Sequence, residues 1–237
     1  MIYKQIILAK KEKQKLLAIL IDPDKTTLSE ITSLAEKIKQ SPATYIFVGG
    51  SIVAENIMDN FVLELKKHLQ LTIIIFPGHP SQISHYADGL LFLSLLSGRN
   101  PEYLIEHHIN SVEILHNSDL EIIPTGYILI DGGKETAVQR VSQTIPIERN
   151  NIDLAYKTAK AGEYLGKKLI YLEAGSGAEN GVSTEMIQKV SQSLNIPLIV
   201  GGGIRSKQEI EEAFSAGADL VVIGTAFEND INFFTHD

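Results

Sequence analysis

Acidic residues after two apolar runs, and three glycine turns, carry the chemistry open to this chain. Asp22 and Asp24 follow an apolar run in LLAILIDPDK, and Glu173 ends another in KLIYLEAGSGA. Asp22 with Ser51, which closes YIFVGGS, offers hard oxygen ligands. So sparse a set suits Mg²⁺, which takes one or two carboxylates and completes its shell with water and substrate phosphate. Turn and helix-cap duty is the other use for either aspartate, and Asp24 reads as a brace for its turn rather than a ligand. Glu173 can act as a general base or hold a substrate hydroxyl; a structural salt bridge is the plainer alternative. Tyr171 lies two residues earlier and points to the same side of its strand. It can offer a hydrogen bond, turn its π face to a cation or pack in the core. The seven histidines show no metal spacing. Adjacent His107 and His108 face different ways on a helix, and most of the seven read as surface residues. No Ser/His/Asp set, no P-loop and no G-x-G-x-x-G after the first strand is present.

The glycine turns point to phosphate. Ile196 to Ala226 reads as strand, glycine turn, helix, strand and second glycine turn, with Ser206 as the helix N-cap. Gly201, Gly202 and Gly203 can bend sharply and bring backbone N–H groups against a ligand. Ala174 to Gly177 and Gly224-Thr225 offer the same after neighbouring apolar runs. In a (β/α)8 barrel the loops after strands seven and eight commonly bind phosphate. Tight turns without a ligand are the plainer reading.

Parallel strands must bring these turns together. Strand candidates fall at 16–21, 44–48, 71–76, 88–93, within 121–130, and at 168–173, 196–200 and 220–223. They alternate mostly with helices, expected over 1–15, from Thr27 or Ser29 to about 40, and over 54–69, 101–117, 152–166, 183–194 and 206–216. The fold class expected is α/β, a (β/α)8 TIM-type barrel with a short or missing third helix, with 1–237 as a single domain. The missing helix is inferred from Pro77 to Ala87, too short and proline-broken for a full crossover. A flank left bare there forms an apolar groove able to take an extended apolar ligand. A second break, Asp131 to Asn151, is a long insertion after strand five. Its Lys134, Arg140, Ser142 and Thr144 could close over an anion; a plain surface loop is the alternative.

Composition narrows the class further. The formal charge is −8 with no basic patch, which argues against a nucleic-acid partner. KKEKQK near the N-terminus is a solvated helix end, with transient membrane-surface contact the minor alternative. There are no cysteines, so disulfides and thiolate sites are excluded. With no signal peptide and no apolar run of about 18 residues, a cytoplasmic protein is expected.

The motifs LLAILIDPDK, YIFVGGS, FPGHPSQIS, LLFLSLLSGRNPEYLIEHH, PTGYILIDGG, YLEAGSGA, VGGGIRS and ADLVVIGTAFE closely resemble the geranylgeranylglyceryl phosphate synthase family, which includes heptaprenylglyceryl phosphate synthases. The likeness spans most of the chain in consistent order. It implies a prenyltransferase that joins a polyprenyl diphosphate to the 3-hydroxyl of sn-glycerol 1-phosphate with Mg²⁺, in ether phospholipid biosynthesis. Asp22 and Ser51 would hold the metal. Tyr171, Leu172, Glu173, Ala174, Gly175, Ser176, Gly177, Gly202, Gly203, Gly224 and Thr225 would hold the glycerol phosphate, with Glu173 on its hydroxyls. One branch of the family carries a lysine two residues before the strand-one Asp; Leu20 stands there in this chain. The resemblance is therefore to the other branch, often homo-oligomeric. Arg99, Lys25 and Lys134 are the candidates for the missing positive charge on the diphosphate.

Charge dictates the expected mechanism. Metal and cationic side chains stabilise the departing diphosphate, positive charge develops on the allylic carbon, and the glycerol hydroxyl attacks as Glu173 takes its proton. Two other classes would use the same phosphate cup. A phosphosugar isomerase or aldolase would need a strand-end lysine or an acid/base pair, and only Lys25 comes near. A non-catalytic phosphometabolite-binding barrel would bind phosphate without turnover.

Overall fold

The strands are short runs of Leu, Ile and Val, buried on both faces as parallel strands covered by helices must be. The computed structural model describes residues 1–50, 57–230 and 232–234. In chain order its elements are α1 (Ile2–Glu12), β1 (Leu16–Ile21), α2 (Ile31–Lys39), β2 (Tyr45–Val48), α3 (Ile57–His68), β3 (Thr72–Ile75) and β4 (Gly89–Leu95). There follow α4 (His107–Asn110), α5 (Val112–His116), β5 (Glu121–Leu129), α6 (Ala137–Ser142), α7 (Ile152–Tyr164) and β6 (Leu169–Glu173). The last are α8 (Thr184–Ser193), β7 (Leu198–Gly201), α9 (Lys207–Ala216), β8 (Leu220–Ile223) and α10 (Thr225–Asn229). All eight strands run parallel in sequence order, and β1 closes the barrel on β8 with Leu16 opposite Leu220.

The period of two along each strand divides the core into two layers. Ala18, Phe47, Ile74, Leu91, Tyr127, Tyr171, Ile199 and Val222 fill the barrel interior. Their neighbours Ile19, Ile46, Ile73, Leu90, Ile128, Leu172 and Val221 face the helices. The N-terminal end of the barrel is closed by α1, whose Ile2, Ile6 and Ala9 join the interior layer. The Glu121 carboxylate accepts the N–H groups of Ile2 and, at 2.9 Å, Tyr3, which the first turn of α1 leaves without helical partners.

The helix starts follow their caps. Ser206 accepts the Glu209 N–H at 3.2 Å, and Glu209 Oε2 returns a bond to the Ser206 N–H at 2.9 Å, a capping box. Ser183 caps α8 by its side chain alone, accepting the Met186 N–H at 3.3 Å.

Two crossovers depart from the regular pattern. Between β3 and β4 there is only a three-residue 3₁₀ turn, Pro80–Gln82. Buried Gln82 holds that segment to the end of β2: its Nε2 donates to the Gly50 carbonyl at 3.0 Å, and its Oε1 accepts the Gly78 N–H at 2.8 Å. Between β4 and β5 the expected single helix over 101–117 is broken into a five-residue π segment, Glu102–Glu106, followed by α4 and α5. β4 also runs two residues past its expected end at 93, which carries Leu95 into the interior. Among the described residues no helix is long and apolar enough to cross a membrane.

Candidate active site

The C-terminal ends of the strands deliver the candidate residues to one cavity of about 710 Å³. Asp22, Lys25, Gly50, Phe76, Lys134, Tyr171, Glu173, Ser176, Gly177, Gly202, Gly203, Gly224 and Thr225 all line it. Leu172, Ala174 and Gly175 do not. Leu172 alternates outward into the helix-facing layer, the Ala174 N–H is taken by the Gly201 carbonyl at 3.0 Å, and the Gly175 N–H by Glu173. Ser51 lies outside the described residues.

Glu173 is the buried acid of the site, only 5% exposed. Its Oε1 accepts the Gly175 N–H at 2.7 Å. Burial pushes its carboxyl above the usual glutamate range, against the opposing pull of the Tyr171 hydroxyl and the Gly175 N–H. A side chain at Gly202 (φ 78°) would strike Glu173 Oε1 and would lie 2.5 Å from the Gly175 nitrogen. A Cβ at Gly201 would lie 2.5 Å from the Tyr171 hydroxyl. These glycines therefore let β7 press against the acid as well as bend. The cup is closed across its far side by Ser176 Oγ and Thr225 Oγ1, 3.1 Å apart.

Below Glu173 the floor is aromatic. Phe76, Tyr127 and Tyr171 pack ring against ring with centroids 5.4–5.8 Å apart. Tyr171 is fully buried, and its hydroxyl faces Glu173 without closing a bond of normal geometry. Burial, then the Glu173 charge, pushes both tyrosine hydroxyls well above their ordinary range, so both stay protonated. Phe76 and Tyr127 were absent from the sequence expectation. Their signal was parity: each falls on the inward-facing series of its strand.

Asp22 sits at the other side of the mouth. Its Oδ1 accepts the Asp24 N–H at 3.1 Å, so Asp24 braces the turn through its backbone while its own side chain is exposed. A Cβ at Gly50 would strike Asp22 Oδ1, so only glycine lets β2 come so close to that carboxylate. Burial raises the Asp22 carboxyl, opposed by the Asp24 N–H and the Lys25 charge. No cluster of three metal-ligating His, Cys, Asp or Glu side chains exists among the described residues. A single carboxylate facing a phosphate cup fits an ion that draws its remaining ligands from substrate and water.

The cations sort differently from expectation. Lys25 and Lys134 line the cavity, and so does Arg205, which sequence reasoning missed although it directly follows the glycine turn in VGGGIRS. Arg205 donates to the Ala178 carbonyl at 2.5 Å. Arg99 turns away: exposed, it donates to the carbonyls of Leu96 and Gly98 at 3.3 and 2.6 Å. In the insertion, Arg140 pairs with Glu135 at 3.5 Å, the Ser142 hydroxyl donates to Val138 at 2.6 Å, and the buried Thr144 hydroxyl donates to Ser142 at 3.4 Å. The reason is α6, where Val138 and Val141, three apart, share the face that lines the cavity.

From this mouth the cavity continues over the rim of β3 and β4 along the flank left without a helix. Pro80, Ile83, Leu90, Phe92, Tyr103 and Val141 wall it with apolar surface. Three of the seven histidines line it as well, His107 and His108 half-buried and His79 exposed. His107 lies edge-on to Tyr103 (4.8 Å) and His79 (5.1 Å), while the His108 ring meets Phe92 (4.4 Å) and its Nε2 donates to the Leu93 carbonyl at 2.7 Å. Burial holds both His107 and His108 below the usual histidine range, so they are neutral at neutral pH. The π segment just before α4 accompanies this placement; π turns recur at functional sites.

Residues 9–236 match the PcrB family. The geranylgeranylglyceryl phosphate synthase of Flavobacterium johnsoniae is 60% identical over 98% of this chain and 96% of its own length. That of Korarchaeum cryptofilum is 40% identical over 92% of this chain and 90% of its own. The crystal structure of (S)-3-O-geranylgeranylglyceryl phosphate synthase from Thermoplasma acidophilum, in complex with its substrate sn-glycerol-1-phosphate, superposes with a TM-score of 0.93 at 34% identity. It covers 99% of this chain and 94% of that one.

Proposed function

The chain belongs to the PcrB family, and from that premise we propose that it is a prenyltransferase joining a polyprenyl diphosphate, geranylgeranyl by its relatives, to the 3-hydroxyl of sn-glycerol 1-phosphate. One observation carries the reading: a polar glycine-turn cup and an apolar groove are two ends of one cavity, with Glu173 where they meet. A phosphate-bearing alcohol and a long apolar chain are the two substrates such a cavity fits.

The reaction follows from what each end can do. The turns at Gly177, Gly202–Gly203 and Gly224–Thr225 hold the glycerol phosphate and fix its 3-hydroxyl near Glu173. The prenyl tail lies along Phe92 and Ile83, with each buried methylene contributing about 0.8 kcal/mol. The bond from the allylic carbon to diphosphate breaks with its electron pair leaving on the diphosphate. The 3-hydroxyl oxygen forms the new ether bond, and its proton passes to Glu173, whose burial makes it a stronger base than an exposed glutamate. The rings of Phe76, Tyr127 and Tyr171 supply π density beneath the allylic carbon as it becomes positive. Asp22, with Ser51, would hold Mg²⁺, and the ion would supply charge neutralisation for the departing diphosphate.

Lys25, the only lysine near a strand end that a Schiff-base aldolase could use, is engaged in an ion pair with Glu228 at 3.0 Å. A homo-oligomer is supported by exposed Ile105, Ile109 and Val112, which succeed one another along the segment outside the groove. The test of the function is transfer of radiolabelled sn-glycerol 1-phosphate into organic solvent on addition of geranylgeranyl diphosphate, with and without Mg²⁺. Label in the organic phase only when both substrates and the ion are present is the expected result. Failure to extract label with any polyprenyl diphosphate overturns the reading.

A further inference from the structure

Asp22, Lys25 and Glu228 form a line at the edge of the mouth, and all three border the cavity. Lys25 Nζ lies 3.0 Å from Glu228 Oε2 and 3.8 Å from Asp22 Oδ2. The carboxylate side chains are 18% and 19% exposed, whereas Lys25 is 48% exposed and reaches outward between them. Glu228 stands on α10, three residues after Thr225. That turn is tightly made: the Gly224 carbonyl accepts the N–H groups of both Phe227 and Glu228 at 2.9 Å. The same turn contributes Thr225 Oγ1 to the far side of the cup. One short element thus reaches the phosphate cup at its start and Lys25 at its end.

We propose that Glu228 is a positioning residue: it holds the Lys25 ammonium at the diphosphate side of the mouth and off Asp22, leaving that carboxylate open to metal. This rests on the prenyltransferase reading above. An ammonium shared between two carboxylates moves to whichever remains, because attraction rises as separation falls and the site is only partly solvated. Without the charge on Glu228, Lys25 closes the gap to Asp22, which costs the diphosphate its cation and the metal its ligand together. The glycerol phosphate cup, built from backbone turns, is untouched by that movement.

The experiment compares Glu228→Gln, Lys25→Met and the double variant. It measures KM for each substrate, and the calorimetric affinity for inorganic diphosphate with Mg²⁺. Glu228→Gln should raise KM for geranylgeranyl diphosphate and weaken inorganic diphosphate binding by about three- to tenfold, the scale of one partly exposed charge contact. KM for sn-glycerol 1-phosphate should stay within about twofold, the uncertainty expected of independent sites. The double variant should be no worse than Lys25→Met alone, because Glu228 acts through Lys25. Glu228→Asp, which keeps the charge on a shorter arm, should fall between, and it carries the test if the glutamine variant does not fold. Wild-type diphosphate affinity in Glu228→Gln, or a double loss equal to the product of the single losses, overturns the proposal. Absence of ether product from the wild-type protein would remove the functional reading instead, while the diphosphate titration would still decide the role of Glu228.

Discussion

The cup at strands six to eight and the groove beside strands three and four are made by opposite means. The cup is built from backbone: glycines at φ 67°, 78° and 71° bend the chain around it, and a fourth, Gly175 at φ 99°, gives its N–H to the buried Glu173 carboxylate. The groove is built from an omission, a crossover reduced to Pro80–Gln82, and it is finished by side chains from elsewhere in the chain. Rigid backbone suits a small ligand whose hydroxyl must be placed within hydrogen-bond reach of its base. A side-chain trough suits a chain that needs only to be kept from water. Substitutions in the two regions should therefore fail in different kinetic constants.

The sharpest break is expected at the junction. Glu173→Gln keeps shape but loses the base; turnover should fall by about 10²–10⁴-fold with KM for prenyl diphosphate nearly unchanged. Single-turnover kinetics check it, and recovery of rate with excess Mg²⁺ would show that Glu173 serves the metal instead. Asp22→Asn should cost less, about 10- to 100-fold at low Mg²⁺, consistent with loss of one charged contact. Raising Mg²⁺ should recover part of that rate; an unchanged metal titration would remove Asp22 from the site. Phe92→Ala tests the groove alone. Loss of about 1–2 kcal/mol of apolar contact should raise KM for prenyl diphosphate by about 5- to 30-fold and leave KM for glycerol phosphate as it was. A shift in both constants would mean that cup and groove are not separable.

The smallest effect is in pH. Because burial raises the Glu173 carboxyl, the base is lost to protonation at a higher pH than an exposed glutamate would be. Turnover at saturating metal should rise with pH through that raised value and then level. In Glu173→Gln the same limb should be missing. An identical acid limb in the variant would assign it to another group, Asp22 being the first to examine since burial raises it too.

The contrast also explains what could be read from the sequence. Glycine turns after β-branched runs are local signals, so the cup, the eight strands and the Ser206 cap were legible. The proline-broken crossover was equally local, and the missing helix followed from it. The walls of the groove were not, because they depend on distant packing. His107 and His108 both reach it beside a π segment that a period of 3.6 does not anticipate. Among the cations, charge and loop position made Arg99 and Lys134 look alike; only the fold turns one away and the other in. Leu172 and Ala174 carry a related lesson: a contiguous motif on a strand alternates faces, so its members cannot all meet one ligand with their side chains.

The bare flank has one more consequence. A tail enclosed in a tunnel must be drawn out along its length, and every methylene meets water before it finds another home. Here the trough lies along the outside of the barrel, and its wall residue His79 is exposed. A lipid surface brought alongside would meet the tail before the tail has left the protein. Each methylene would then pass from one apolar phase to another, so the roughly 0.8 kcal/mol that holds it would be replaced rather than lost. Release by peeling sideways would then depend on the acceptor rather than on the length of the chain.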